Sequence, residues 1–273
     1  MIIKVLMENS ARSETLGSEH GLSLYIEALG HKILFDTGAS PLFIENARKM
    51  KVDLSEVEFV VISHGHYDHG GGLDAFFELN DKAEVFIHPQ AFGDYYARRQ
   101  GDKLQFIGID KKLKENRQVV FTTDRFTIAR GIRVFSNVEP LESLPSSNRD
   151  LLKKEGGELT DDDFVHEQNL VIEQDDKTVL FTGCAHMGIM NIVRHFHSIK
   201  GRYPHVVIGG FHLAKSDQDR ESDGEIDRIA AFLASTGAKY YTCHCTGRVP
   251  YQRLKEKMGG RIDYLAAGDM IEI

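Results

Sequence analysis

The chain has 273 residues, of which 41% are hydrophobic, so one large α/β domain with a full core is expected over residues 1–273. The formal net charge is −8 and the basic residues form no block, which argues against nucleic acid as a partner. No run of about 18 apolar residues is present, and the amino-terminal residues lack the pattern of a signal peptide. We therefore expect a cytoplasmic protein that acts on a small-molecule substrate without membrane attachment. The sequence does not indicate the oligomeric state.

Three cysteines are present, Cys184, Cys243 and Cys245. Their number is odd and two of them are separated by a single residue, so they do not form a disulfide framework. Reduced thiols agree with the expected compartment and make thiolate ligation of a metal a candidate role.

The first third of the chain is expected to alternate strands and helices. Apolar runs predict the strands, and Ser40-Pro41 predicts the start of the first helix because serine caps helices and proline fits the first turn. The predicted strands cover residues 1–8, 21–27, 31–35, 57–62 and 83–88, and the predicted helices cover residues 40–50 and 73–79.

The stretch Ser63–Gly72 carries three histidines and one aspartate within six positions, directly after a predicted buried strand. Imidazole and carboxylate suit zinc, iron or manganese, and a strand-to-loop transition lets neighbouring side chains converge. We expect His64 and His66 to face one ion, and Asp68 and His69 to reach a second ion about 3.5–4 Å away. The alternative is a polar loop whose histidines only form hydrogen bonds.

Three consecutive glycines, Gly70 to Gly72, follow these ligands. They stand at the amino end of the second predicted helix, where the helix dipole favours negative charge. We therefore expect their free N–H groups to point at the site and to help hold an anionic group.

The motif H-x-H-x-D-H after a buried strand resembles the signature of the metallo-β-lactamase superfamily. The resemblance implies an α/β fold, a four-layer αββα sandwich with the metals at one edge. It also implies that Asp36, which ends an apolar strand and precedes Thr-Gly, is a structural aspartate that orients the metal loop. The alternative for Asp36 is a turn-forming residue.

The middle of the chain is predicted as four short strands followed by a long loop. The strands cover residues 104–107, 118–122, 126–128 and 132–136 and are expected to build the second sheet. The regular pattern fails over residues 137–163, and loops of this length inside a compact domain are usually functional or disordered. We interpret this loop as an active-site flap that carries much of the substrate specificity, and the alternative is a mobile surface excursion.

The last part of the chain regains a regular pattern. A hairpin across Asp175-Asp176 is followed by alternating helices and strands, which is typical of the βαβ half of an α/β sandwich. The predicted strands cover residues 169–173, 178–182, 205–208, 239–242 and 262–265, and the predicted helices cover residues 188–199, 224–235 and 248–258.

A metal with only His64 and His66 is under-coordinated, because a catalytic zinc keeps three protein ligands and a water. By resemblance to the family, His166 takes the place of the third histidine on the first metal. Cys184 takes the bridging or second-site position, where the family most often has aspartate. His186 competes with His166 for the same place and is otherwise expected to face the substrate.

Two further histidines end late strands. By resemblance, His244 is the last histidine on the second metal. His212 lies on the same edge and is expected to contact the substrate or to donate a proton to the leaving group, with a plain loop histidine as the alternative. Cys243 and Cys245 flank His244, and strand alternation predicts that they are small buried residues that face away from the site.

These residues predict a dinuclear metal-dependent hydrolase. Two divalent ions, zinc with manganese or iron as alternatives, would activate a water for attack on a phosphoester or another small anionic ester. Asp68 would orient this water and accept its proton, and His212 or His186 would assist departure of the leaving group.

The stretches Thr182–Val193, Ile208–Leu213 and Cys243–Gly247 resemble a narrower group within the superfamily. This group is labelled by similarity to the archaeal 7,8-dihydropterin-6-methyl-4-(β-D-ribofuranosyl)aminobenzene 5′-phosphate synthase. The resemblance implies an alternative function, a pterin-pathway transferase that condenses a dihydropterin-methyl pyrophosphate with an aminobenzene ribofuranosyl phosphate at the same metal site. A di-iron redox protein is a more distant alternative, since the chain shows no flavodoxin-like segment.

Overall fold

The computed structural model describes residues 1–273 as eighteen β-strands and six α-helices, joined in several places by short 3-10 turns. The helices are α1 (Leu42–Lys49), α2 (Tyr67–Gly70), α3 (Leu73–Leu79), α4 (Ile189–Lys200), α5 (Asp223–Ser235) and α6 (Arg248–Met258). The strands are β1 (Ile2–Met7), β2 (Ser23–Ala28), β3 (His31–Phe35), β4 (Phe59–Val61), β5 (Glu84–Ile87), β6 (Asp94–Arg99), β7 (Lys103–Phe106), β8 (Val119–Phe121), β9 (Arg125–Ala129), β10 (Ile132–Phe135), β11 (Leu151–Glu155), β12 (Glu158–Asp161), β13 (Asn169–Gln174), β14 (Lys177–Thr182), β15 (Val206–Gly209), β16 (Lys239–Thr242), β17 (Ile262–Tyr264) and β18 (Met270–Glu272). None of the helices combines the length and the apolarity needed to cross a bilayer.

The first large sheet has the strand order β18-β1-β2-β3-β4-β5-β8. Its first four strands are antiparallel, and β3, β4, β5 and β8 are parallel to one another. The edge strand β18 has no counterpart among the predicted strands. It is short and largely exposed, so it carries little of the apolar pattern on which strand prediction depends.

The second large sheet has the strand order β17-β16-β15-β14-β13-β10-β9, with β14 to β17 parallel. The predicted hairpin of β13 and β14 is confirmed, and both of its turn residues, Asp175 and Asp176, have positive φ values of 50° and 60°. Helices α4, α5 and α6 connect the parallel strands as predicted.

Two predictions for the middle of the chain are wrong. Only β9 and β10 join the second sheet, since β8 belongs to the first sheet and β7 to a small third sheet of order β12-β11-β6-β7. The predicted loop over residues 137–163 also contains a 3-10 turn (Ser146–Asp150) and the hairpin of β11 and β12. That hairpin is mostly exposed and polar, so no apolar alternation reveals it. Its role as a flap stays a prediction.

Three apolar layers hold the fold together. Phe43 and Phe76 belong to the layer between α1, α3 and the first sheet. Phe35 and Phe181 meet between the two large sheets, with ring centroids 6.0 Å apart. The third layer, which includes Phe196, lies between the second sheet and helices α4 to α6. This αββα order confirms the predicted fold class.

The candidate site residues follow the carboxyl ends of parallel strands. Asp36 follows β3, His64 follows β4, Cys184 follows β14, His212 follows β15 and His244 follows β16. Because parallel strands end at the same edge of a sheet, the two packed sheets bring these residues to one rim of the sandwich.

Candidate metal centre

Asp36 holds the loop that follows β4. Its Oδ1 accepts a hydrogen bond from the backbone N–H of Ser63 at 2.7 Å. Its Oδ2 accepts from Ser63 Oγ at 2.8 Å and from His69 Nδ1 at 2.6 Å. The carboxylate is buried, and its residue has a positive φ of 61°, which aspartate tolerates better than most residues. Asp36 therefore orients the metal loop, the role that the resemblance implies.

The Nε2 atoms of His64 and His186 point their lone pairs at each other. Ser63 Oγ uses its hydrogen on Asp36, so it accepts the Nδ1–H of His64 at 2.9 Å. Asn148 Oδ1 accepts the Nδ1–H of His186 at 2.9 Å, and its Nδ2 donates to the carbonyl of His186 at 2.8 Å. These contacts assign the lone pair of each neutral ring to Nε2, and the two Nε2 atoms lie 3.3 Å apart.

His69 and His244 form a second facing pair. Asp36 accepts the Nδ1–H of His69 at 2.6 Å, and Asn9 Oδ1 accepts the Nδ1–H of His244 at 2.8 Å. The two Nε2 atoms lie 3.2 Å apart. Asp68 Oδ2 lies close to both, at 3.8 Å from His69 Nε2 and 3.4 Å from His244 Nε2.

These two pairs fit two metal cations. Zinc binds imidazole nitrogen at about 2.0–2.1 Å, so two nitrogens on a tetrahedral ion lie about 3.3 Å apart. The facing lone pairs of His64 and His186 repel each other, whereas a cation between them is attracted to both. Between His69 and His244 a cation would take the place of a hydrogen on His69 Nε2. Cys184 belongs to both ligand sets, because its Sγ lies within 4.8 Å of the ligand atoms of each pair and 3.2 Å from His69 Nε2. The residues present therefore fit a two-metal site.

His66 stands beside the first ligand set. Together with His64 and Asp68 it forms a group whose ligand atoms lie within 4.8 Å of one another. Its Nε2 is buried without a hydrogen-bond partner, 3.6 Å from Asp162 Oδ2. Burial opposes the ionisation of Asp162, but His166 and His66 outweigh burial and keep its pKa far below the usual range.

The structure places His186, and not His166, beside His64. The ring centroid of His64 lies 4.9 Å from that of His186 and 6.0 Å from that of His166. The backbone N–H of Gly65 donates to His166 Nδ1 at 2.9 Å, so the hydrogen of His166 is on Nε2, which donates to Asp162 Oδ2 at 3.2 Å. A neutral His166 then has no lone pair left for an ion. This geometry favours His186 over the predicted His166 as the partner of His64, while His166 lies in a separate group with His66 and Asp162.

Burial and neighbouring charges set the protonation of the ligand side chains. Burial and the neighbouring histidines lower the pKa values of His64 and His186 well below the usual range, which keeps these rings neutral. Burial also opposes a charge on His69, yet two neighbouring carboxylates outweigh it and raise the pKa of His69 to about 9. Burial raises the pKa of the Cys184 thiol, so its ligation as a thiolate requires a metal to displace the proton.

The N–H groups of Gly70 to Gly72 do not point at the site, so that prediction is wrong. Gly71 and Gly72 both donate to the carbonyl of Gly38, at 3.0 Å and 3.3 Å, and Gly70 donates to the carbonyl of His66 at 3.1 Å. A Cβ atom on Gly72 would lie only 2.3 Å from the carbonyl oxygen of Thr37. These glycines therefore allow two backbone segments to pack closely.

A cleft of about 150 Å³ opens beside the ligand sets. His212 lines it at 4.2 Å from His186 between ring centroids, and both of its ring nitrogens are buried without a hydrogen-bond partner. An unpaired buried donor is costly, so this ring is available to a bound molecule. Arg98, Arg99 and Lys215 line the same cleft and bring positive charge to it.

Cys245 also lines the cleft, so the prediction that it faces away is wrong. The chain after β16 forms a 3-10 turn over His244–Thr246 with a φ of 53° at its first residue, which ends the alternation of a strand. The Sγ of Cys245 lies within 4.8 Å of that of Cys184. Cys243 is buried between the two large sheets and is not part of the cleft.

Sequence reasoning missed three residues that support the ligands. His20 Nε2 lies 3.2 Å from Asp68 Oδ2. The buried carboxylates of Glu8 and Glu167 each accept the backbone N–H of a ligand histidine, at 2.7 Å in both cases. Burial raises the pKa of Glu167. Only Glu8 has a position that could have been noticed, since it is a charged residue directly after an apolar strand.

Comparison with known proteins gives consistent matches. The family model described as the metallo-beta-lactamase superfamily matches residues 16–235. A relative from Methanocaldococcus jannaschii, named 7,8-dihydropterin-6-methyl-4-(beta-D-ribofuranosyl)-aminobenzene-5'-phosphate synthase, is 29% identical over 271 residues, which covers 93% of this chain and 90% of that protein. An uncharacterized protein of the same organism is 31% identical over 255 residues and covers 90% of this chain and 91% of its own length.

Solved structures are similar over the whole chain. The crystal structure of Tm1679, described as a metal-dependent hydrolase of the beta-lactamase superfamily, has a TM-score of 0.85 at 32% identity and covers 100% of this chain and 99% of that chain. The Zn(2+)-bound PqqB from Methylobacterium extorquens has a TM-score of 0.59 at 11% identity and covers 100% of both chains. At so low an identity, the second similarity shows the fold alone.

Proposed function

Because this chain belongs to the metallo-beta-lactamase superfamily, as its metal motif predicts, we propose that it is a dinuclear hydrolase that cleaves a phosphoester or another small anionic ester. The observation that carries the proposal is the two pairs of facing imidazole nitrogens, 3.3 Å and 3.2 Å apart, with Cys184 common to both. A single structural ion would need only one such pair.

In this proposal each ion has three ligands of its own and shares a fourth. Imidazole and thiolate together favour zinc over harder ions, with manganese or iron as the alternatives. The ligands of the first ion are His64 and His186, with His66 added because it lies in a group with His64 and Asp68. Those of the second are Asp68, His69 and His244, and the shared ligand is Cys184.

The side chains around the ions have distinct tasks in the reaction. Two bound zinc ions would supply a polarised water at neutral pH and positive charge opposite the developing oxyanion. Burial opposes the ionisation of Asp68, but the neighbouring histidines outweigh it and lower its pKa well below the usual range. As a carboxylate, Asp68 orients the water and accepts its proton. His212 has an N–H free of protein partners and donates it to the leaving group.

The charge of the cleft supports an anionic substrate. Lys215 pairs with Asp150, and Arg99 donates from Nε to Gln105 Oε1 at 2.8 Å. The side chain of Arg98 has no ion pair or hydrogen bond within the chain and lines the same cleft. Its guanidinium is therefore free to bind a phosphate or carboxylate of the substrate in a bidentate way.

A transferase is the second candidate, and the observation in its favour is the synthase name of the relative that is 29% identical. In that reaction the same ligands and cations would stabilise a departing pyrophosphate instead of a water-derived nucleophile. The ligand geometry serves both reactions, so substrate turnover must separate them.

The test measures turnover of the zinc-, manganese- and iron-loaded protein on phosphomonoesters, phosphodiesters, thioesters, lactones and the pterin pyrophosphate pair. We expect ester hydrolysis, and we expect Asp68→Ala to lower kcat at least about 100-fold because it removes both a ligand of the second ion and the proton acceptor. Arg98→Ala should raise KM with little change in kcat if the arginine binds substrate and transition state equally. Asp74→Ala, an exposed carboxylate on α3, is the matched control.

Equal ester turnover by wild type and Asp68→Ala would contradict the assigned chemistry. Condensation of the pterin pair without hydrolysis of any ester would replace the hydrolase by the transferase. Loss of activity in the Asp74→Ala control would show that a general change of this region, and not the proton acceptor, causes the effect.

A further inference from the structure

Asn9 follows β1, and its side chain lies between two histidines of the site. Its Oδ1 accepts the Nδ1–H of His244 at 2.8 Å and the backbone N–H of Gly21 at 3.3 Å. Its Nδ2 lies 3.3 Å from Nδ1 of His20. Because two donors point at Oδ1, the amide orientation is determined, and Nδ2 is the donor to His20.

This one amide imposes opposite tautomers on the two rings. His244 carries its hydrogen on Nδ1, so its Nε2 lone pair faces the second ligand set. His20 accepts at Nδ1, so a neutral His20 carries its hydrogen on Nε2, which lies 3.2 Å from Asp68 Oδ2. The same oxygen lies 3.4 Å from His244 Nε2, which shows that it faces the second ligand set.

We propose that Asn9 makes His20 a hydrogen-bond donor that positions Asp68 at the second metal. This assignment rests on the proposed dinuclear function and adds two positioning residues to it. The ring centroids of His20 and His244 are 4.7 Å apart, so the two rings pack against each other while one contacts Asp68 and the other faces the second ligand set. His20 also lines the cleft, where its N–H fixes the carboxylate from the substrate side.

Two variants of His20 distinguish its hydrogen bond to Asp68 from the packing of its ring. The amide nitrogen of glutamine reaches the position of His Nε2, whereas that of asparagine reaches only the position of Nδ1. His20→Gln therefore keeps the donor to Asp68, and His20→Asn loses it. Asn9→Asp keeps the acceptor for His244 but places His20 between two carboxylates, so His20 carries a hydrogen on both ring nitrogens and keeps its bond to Asp68. His197→Asn, an exposed position on α4, is the matched control.

Calorimetric titration of the metal-free full chain with Zn²⁺ provides the first readout. We expect wild type to bind two ions, and we expect His20→Asn to weaken the second one by about 10–100-fold, the usual effect of losing a group that orients a ligand. His20→Gln, Asn9→Asp and His197→Asn should keep both ions. Nitrogen-15 NMR of the metal-free protein provides the second readout, with the hydrogen of His20 on Nε2 in wild type and a hydrogen on both ring nitrogens in Asn9→Asp.

Each contrary result overturns a defined part of the proposal. An equal second binding constant in wild type and His20→Asn overturns the positioning role and leaves the dinuclear function standing. Equal weakening by His20→Gln and His20→Asn also overturns it, because packing and not the donor would then matter. A hydrogen on Nδ1 of His20 in wild type overturns the role of Asn9. A wild type that binds fewer than two zinc ions overturns the dinuclear function and this assignment with it.

Discussion

Replacing Asp36 with asparagine removes one acceptor from the buried network that holds the metal loop. The amide Oδ1 can still accept from the Ser63 N–H, but Nδ2 replaces the oxygen that accepts from Ser63 Oγ at 2.8 Å and from His69 Nδ1 at 2.6 Å. An unpaired buried donor costs about 1–3 kcal/mol, so Asp36→Asn should lower the free energy of unfolding of the metal-free protein by about 2–6 kcal/mol. Asparagine tolerates a positive φ, so backbone strain adds little.

Urea denaturation of the metal-free protein, followed by circular dichroism, measures this loss. Asp176→Asn is the matched control, because Asp176 has a φ of 60°, close to the 61° of Asp36, and is exposed in a hairpin turn. The control should stay within about 0.5 kcal/mol of wild type. If Asp36→Asn is as stable as the control, Asp36 does not act as the orienting acceptor, and our account of the loop is refuted.

Two further predictions concern stability. Gly72→Ala would place a Cβ 2.3 Å from the carbonyl oxygen of Thr37 and should destabilise the protein by about 1–3 kcal/mol or more. In the control Gly260→Ala the Cβ meets open space, so this variant should have little effect in thermal denaturation. Equal stability of the two variants would contradict the close packing at Gly72. Burial opposes the charge of Glu173, but Lys200 and two arginines outweigh burial and lower the pKa of Glu173. The ion pairs of Glu173 therefore stabilise the fold above the pKa of the unfolded state, and this stabilisation is lost as pH falls through the pKa of the folded state. Glu173→Gln should therefore cost about 1 kcal/mol or less at pH 7 and nothing in acid, and a cost that is constant with pH in urea denaturation would contradict this.

The metal loop and most of the large elements could be predicted because their signals are local. Ser63–Gly72 concentrates ligand-type side chains after a buried strand, and the strands on both sides of Asp175-Asp176 are nearly continuous buried runs bounded by a polar turn. Local sequence patterns do not predict the small third sheet. Strands β11 and β12 are polar and exposed, so the periodicity that identifies a half-buried strand is absent.

The sequence favours His166 as a metal ligand, whereas the structure brings His186 to His64, and the positions of the two residues along the chain could not predict this difference. Both precede or follow a strand at the same rim, and the sequence does not reveal that the N–H of Gly65 occupies Nδ1 of His166. His20 and Asn9 are a similar case. Their contact with Asp68 depends on the packing of the loop after β1 against the metal loop, and no motif spans that distance in sequence.

X-ray diffraction at the zinc absorption edge, from crystals of the zinc-loaded protein, tests the two-metal centre most directly. We predict two anomalous peaks about 3.5–4 Å apart, one between the Nε2 atoms of His64 and His186 and the other between those of His69 and His244. A single peak, or two peaks without Cys184 between them, would contradict the account.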